Sequence, residues 1–270
     1  MHKLNRIYWY LLKRVFVSST SVFSAKSEQI SDCHIRVASA SRLVMGTGSK
    51  LHNCSITLLD NASLEIGVDV VLTNMQITIH QAQCAVGDKS QLSNVQIQLS
   101  KNACLSIGSA CVVEQGDNWR GPIWRIDEGS TVQIADHNRL RCNIETRFGG
   151  NCTIGRYNCI NEESEIRADE NVVIGDYNMI SYHCRIWDTD THVFYEDDTR
   201  RRMTEHMYPN IGAEVDKPIT KTVYIGSDNL IGERASILKG SKIGDGCKIG
   251  FNVVVADKEI ANKMTFVGKK

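Results

Sequence analysis

Aliphatic residues fall at Ile154, Ile160, Ile166, Ile174, Ile180 and Ile186, in steps of six, six, eight, six and six. A period near twenty assembled from six-residue units is neither the 3.6-residue repeat of a helix nor the alternation of a lone strand, and it reads as one turn of a solenoid. The fifth residue of these units tends to be small, as Ser164 and Cys184 are. An aliphatic and a small side chain at that spacing both point into a narrow interior, while the glycines and polar residues between them turn the corners. The expected product is a triangular prism of short parallel strands stacked about 4.8 Å apart.

The repeat is cleanest in five consecutive hexads opening at Ile225, Ile231, Ile237, Ile243 and Ile249. Earlier in the chain it is looser: Met45-Gly46, Ile66-Gly67, Val86-Gly87 and Ile107-Gly108 are spaced by 21, 20 and 21 residues, with strand-like alternation between them. Two stretches interrupt it. The interval from Ile107 to Ile134 is longer than the others by about seven residues and contains Trp119 and Trp124. This pair either walls a sugar, whose faces pack on aromatic rings, or fills a contact between subunits. The hexads then stop after Ile186, and residues 191–222 form an inserted loop carrying a charge run, Glu196 to Arg202. Solenoids place such insertions on one face, often the binding face. The charge run itself reads as solvated surface, unless Arg200, Arg201 or Arg202 meets an acidic substrate.

Composition narrows the function classes. The formal net charge of the 270 residues is zero, so nothing points to a nucleic-acid partner. Ten cysteines occur without a paired C-x-x-C spacing or an N-terminal signal peptide. They read as reduced thiols of a cytoplasmic protein, with Cys111, Cys184 and Cys247 on the inward small positions. No uncharged run is long enough to span a bilayer. Leu4, Ile7, Tyr8, Leu11, Leu12, Val15 and Phe16 lie at helical spacing opposite Lys3, Arg6, Lys13 and Arg14. Residues 1–21 are therefore expected to form an amphipathic helix. It either caps the first coil or lies on the inner face of a membrane as a peripheral contact. The solenoid is expected over 22–256 as one domain, with a basic tail at 257–270.

The hexads and the excursion after them resemble the hexapeptide-repeat acyltransferases. The resemblance covers roughly 134–260 and is closest over 174–192 and 223–255. It implies an all-β fold, a left-handed parallel β-helix, although the general rule for parallel crossovers predicts the opposite hand. It also implies a homotrimer with acetyl-CoA lying in the groove between neighbouring subunits. In maltose, galactoside and polysaccharide O-acetyltransferases a histidine stands where His192 stands and acts as general base. An asparagine at the place of Asn161 helps bind the acceptor, although Asn161 also fits an asparagine ladder at a coil corner. The run from Trp187 to Asp198 is more similar to the polysaccharide enzymes, so the implied activity is O-acetylation of a saccharide in surface-glycan biosynthesis. By position the resemblance gives the cofactor Gly232, Ala235, Gly250, Phe251 and Lys258. Two departures stand against that last set: Ala261 replaces the usual proline, and the sequence ends at Lys270 without a C-terminal helix. Lys263, Lys269 or Lys270 would then supply phosphate contacts.

The chemistry asks for little machinery. A base must take the hydroxyl proton, and histidine titrates near neutral pH. Donors must meet the oxyanion of the tetrahedral intermediate, a task for backbone or side-chain amides. Asp188 or Asp190 could orient the imidazole of His192, with Trp187 beside the acceptor. Two other classes compete. A γ-type carbonic anhydrase shares the fold but needs two metal-binding histidines five residues apart, whereas His183, His192 and His206 are nine and fourteen apart. A trimeric scaffold without catalysis would have no use for His192. No metal site is expected.

Overall fold

The computed structural model describes residues 14–117, 121–212 and 216–268. Within them the chain winds through three parallel sheets of eleven strands each, taken in strict rotation, so that every strand pairs with the strand three places along. This is the parallel β-solenoid the hexads require, consistent with the left-handed form. The first sheet runs from Val15–Val17 to Val254–Val255, the second from Val22–Ser24 to Glu259–Ile260 and the third from Ile30–Ser31 to Thr265–Phe266. Register is locked by burial, since slipping one residue would turn each aliphatic side chain out of the core. Thus Ile134, Ile154, Ile174 and Ile225 face one another down the second sheet. The inserted loop is absorbed between Ile174 and Ile225 without breaking that file.

The inward positions are aliphatic or small throughout. Cys111, Cys184 and Cys247 are fully buried, as expected. Burial raises the Cys84 and Cys142 thiols to about 12 and Cys184 to about 11, so they behave as small hydrophobes. The glycine after the aliphatic residue has a steric origin: a Cβ at Gly46 would stand 2.4 Å from the carbonyl oxygen of Gly67 in the next coil.

The corner between the second and third sheets carries a buried file of Asn138, Asn158, Asn178 and Asn229. Each side-chain oxygen accepts the backbone N–H one coil on: Asn158 N to Asn138 at 2.8 Å, Asn178 N to Asn158 at 2.9 Å, Asn229 N to Asn178 at 3.0 Å. The asparagine ladder therefore exists, one corner away from Asn161. Asn178→Ala strands the Asn229 amide inside the prism, which should cost about 1–3 kcal/mol. Urea denaturation measures this, and a loss within error of zero would mean that the ladder contributes nothing.

Three expected boundaries move. Val15 and Phe16, assigned to the amphipathic helix, lie in the first strand, paired with Ile35 and Arg36; residues 1–13 fall outside the described residues. The solenoid therefore starts before residue 22. At the other end, 257–270 is not a free tail, because Glu259–Ile260 and Thr265–Phe266 extend the second and third sheets. The inserted loop contains a helix, α1 (Asp197–Met207), with no buried residue. On it Arg200 pairs with Asp197 at 3.3 Å and Arg201 with Asp198 at 3.2 Å, which makes the charge run a solvated helix surface.

Candidate functional site

The excursion leaves from the corner between the first and second sheets and returns to it. Thr189 and Thr220 form an antiparallel bridge, and Lys221 N donates to the Asp188 carbonyl at 2.8 Å, so the loop is pinched shut at its base. His192 stands just beyond the pinch, exposed to solvent, on a stem fixed by the sheet behind it. The preceding Thr191 holds a left-handed backbone (φ 66°), uncommon for a β-branched residue and a sign that the stem is over-determined by its contacts.

Asp188 holds the pinch from below, its carbonyl accepting Lys221 N and its carboxylate meeting the amides of the coil beneath. Its side chain is fully buried, and its carboxylate accepts the amides of Asp169 at 2.8 Å, Glu170 at 2.8 Å and Asn171 at 2.5 Å. Burial pushes this carboxyl up, while the three amides pull it down. The previous coil turns here in very few residues, and Asp188 supplies the acceptors that the missing turn residues would have provided. Asp190 lies nearer the surface and pairs with Lys239, Nζ to Oδ1 at 3.3 Å. Of the two aspartates, only Asp190 remains on the solvent side with His192.

A further set of residues supports the stem. Arg147, two coils earlier, makes a two-pronged pair with the fully buried Asp169: Nε to Oδ1 at 2.9 Å and Nη2 to Oδ2 at 2.6 Å. The same Nη2 donates to the carbonyl oxygen of Thr191 at 3.3 Å. Asp188 thus shapes the turn that presents Asp169, Asp169 holds Arg147, and Arg147 holds the residue before His192. None of this was legible in the sequence. Arg147 and Asp169 read as ordinary corner residues, and only the known rotation of the coils puts them under the loop.

The remaining candidates spread over the prism. Trp187 ends the strand that leads to the loop, with the Arg167 guanidinium 5.1 Å from its ring centre. Trp124 cannot wall a sugar: it is fully buried, and its indole N–H donates to the Cys142 carbonyl at 2.9 Å. Trp119 lies outside the described residues. Asn161 sits on the corner between the third and first sheets, its amide nitrogen donating to the Ile180 carbonyl at 3.3 Å. It therefore occupies a different corner from His192, and one copy of the chain does not bring the two together. His183 is on Asn161's corner as well, 3.0 Å from Glu163.

The positions assigned to acetyl-CoA divide in two. Ala235 is fully buried, with its amide given to the Gly232 carbonyl and its own carbonyl taken by Arg185. The amides of Gly232 and Gly250 are likewise committed to the next coil, and a Cβ at Gly232 would meet backbone of that coil at 2.8 Å. These three residues serve the stacking of coils. Phe251 is exposed with the Arg234 guanidinium 5.9 Å from its ring centre, and the exposed Lys258 lies 4.2 Å from the ring centre of Phe266. The two pairs stand apart: Arg234 and Phe251 lie on the corner between the third and first sheets, Lys258 on the corner between the first and second. Lys263 follows in the last coil, and Lys269 and Lys270 lie outside the described residues.

Residues 222–257 match the family model described as bacterial transferase hexapeptide (six repeats). Over 133 residues the chain is 32% identical to the probable acetyltransferase Rv3034c of Mycobacterium tuberculosis, a match covering 48% of this chain and 38% of that protein. The chain thus spans well under half the length of that relative. Among solved structures it is similar to the polysialic-acid-specific acetyltransferase NeuO, with 18% identity, TM-score 0.44 and coverage of 78% and 80% of the two chains. It is also similar to the polysialic acid O-acetyltransferase OatWY, with 17% identity, TM-score 0.45 and coverage of 84% and 90%.

Proposed function

We propose that this protein is an acetyl-CoA-dependent O-acetyltransferase that acetylates a hydroxyl of a saccharide, with His192 as general base. The single observation that carries the reading is the placement of His192: an exposed imidazole at the mouth of a pinched loop, on a stem secured by Asp188, Asp169 and Arg147. A base on a rigid stem can meet an acceptor hydroxyl at one geometry, which is where general-base catalysis gains. The match to an acetyltransferase and to the hexapeptide family model supports the reaction class.

In this reading the imidazole takes the proton of the acceptor hydroxyl as its oxygen attacks the acetyl carbonyl, and later returns it to the departing thiolate. Asp190, paired with Lys239, lies two residues before the base. Acetyl-CoA supplies the activated acyl group. Lys258 of one copy, with Arg234 and Phe251 of a neighbouring copy, would hold its nucleotide end by charge and ring contact. Because Asn161 and His192 lie on different corners, a complete site draws Asn161 from a neighbouring copy, in keeping with a trimer. A cytoplasmic location near the membrane follows from the donor and from a surface-glycan acceptor.

The test is acceptor-dependent thiol release. Purified protein supplied with acetyl-CoA and a panel of glycans should release coenzyme A above the rate without acceptor, and sedimentation should give three times the chain mass. A panel that never exceeds the acceptor-free rate would overturn the activity.

A further inference from the structure

The outer face of the first sheet carries a feature that neither packing nor the reaction explains. Thr78, Gln98, Arg125, Glu145, Arg167 and Trp187 lie in direct register, one per coil. Every member of the file can donate or accept a hydrogen bond, or stack. Gln, Glu and Arg are not the residues that stabilise a strand. Over the same coils the file on the second sheet is Ala85, Ser106, Gln133, Thr153, Val173 and Tyr224, mostly short side chains. The third sheet presents Gln91, Val112, Arg139, Cys159, Met179 and Leu230, mostly apolar, before its file ends in Lys248 and Thr265.

The file on the first sheet is built as well as polar. Arg167 pairs with Glu145 at 2.8 Å and with Glu165 at 3.0 Å, and all three side chains are less than a third exposed. Opposite charges therefore neutralise one another and leave an array of oriented donors and acceptors with little net field. Two shallow cavities of about 130 Å³ and 160 Å³ lie along this face, one beside Thr78, Gln98 and Arg125, the other beside Arg125, Glu145 and Arg167. At the upper end the indole N–H of Trp187 is shielded from solvent and has no hydrogen-bond partner among the described residues. A buried donor left unmet costs free energy, and an incoming acceptor oxygen would recover it. Trp187 is five residues before His192 on the same stem.

We propose that this file is an acceptor track that holds several consecutive residues of an oligosaccharide and delivers the terminal one to His192. The proposal rests on the saccharide-acylation reading above and makes it narrower: the acceptor is a glycan chain, not a free or nucleotide-linked sugar. Coils stack about 4.8 Å apart, so six coils offer a polar group at each of five equal steps along an extended chain. Recognition is chiefly by hydroxyl hydrogen bonds, because Arg167, Glu145 and Glu165 already pair with one another.

Binding without acetyl-CoA tests the track apart from the chemistry. Size-graded oligosaccharides from dimer to octamer, neutral and anionic, are titrated calorimetrically against the full chain. For at least one series, affinity should climb with length and then level off, and should change little with added salt. The Gln98→Ala/Arg125→Ala double variant, altered at two exposed positions, should weaken the longest oligomer about tenfold and spare the dimer and the melting temperature. Gln133→Ala on the second sheet is the matched control and should bind as the parent does. His192→Ala should bind normally, and in the parent protein length-dependent binding without acyl transfer would sink the enzyme and keep the track. Binding to no oligomer, affinity independent of length, or an unaltered double variant would each overturn the track.

Discussion

His192→Ala should lower acyl transfer about 10²- to 10⁴-fold, the usual contribution of a positioned general base. The side chain is exposed on the loop beyond the pinch, outside the core, so the melting temperature should change little. Acetyl-CoA should still protect the variant against heat, since the proposed nucleotide contacts Arg234, Phe251 and Lys258 lie on later coils. Steady-state kinetics with an acceptor identified by screening decide it. A variant that turns over at the parent rate removes His192 from the mechanism and leaves the solenoid without an identified base.

What the sequence conveyed and what it withheld divide along one line. Periodic burial is a local property, so Ile154, Ile174 and Ile225 announced the prism, and Cys184 and Cys247 announced the small inward positions. Trp124 misled because the chain immediately before it is an insertion, and an aromatic after an insertion looks like loop; its register opposite Ile97 and Ile144 puts it in the core. Val15 and Phe16 misled because alternate burial over three residues also fits a helical stripe. Asp188 is the instructive case. Nearness in sequence suggested a partner for His192, yet the carboxylate points inward to three amides of the coil below. Distances across coils depend on rotation and corner length, and these are not encoded within any one hexad. For the same reason Arg147 and Asp169, twenty and more residues upstream, were invisible as supports.

Arg147→Ala should be the most damaging change to stability, at about 3–5 kcal/mol, the cost of leaving one member of a buried ion pair alone. Asp169 is fully buried and Arg147 nearly so, which places the pair in that class and not among exposed pairs worth little. Loss of the guanidinium also frees the Thr191 carbonyl, so the stem of His192 loses its tether. The two effects separate in the double variant Arg147→Met/Asp169→Leu. Replacing a buried pair by apolar groups of similar volume is often neutral, so much of the stability should return. The tether does not return, and transfer should remain well below that of the parent even where the double variant is fully folded by circular dichroism. Recovery of both stability and full transfer would show that Arg147 only fills space beneath the loop. Recovery of stability alone would assign the arginine to the placement of the base.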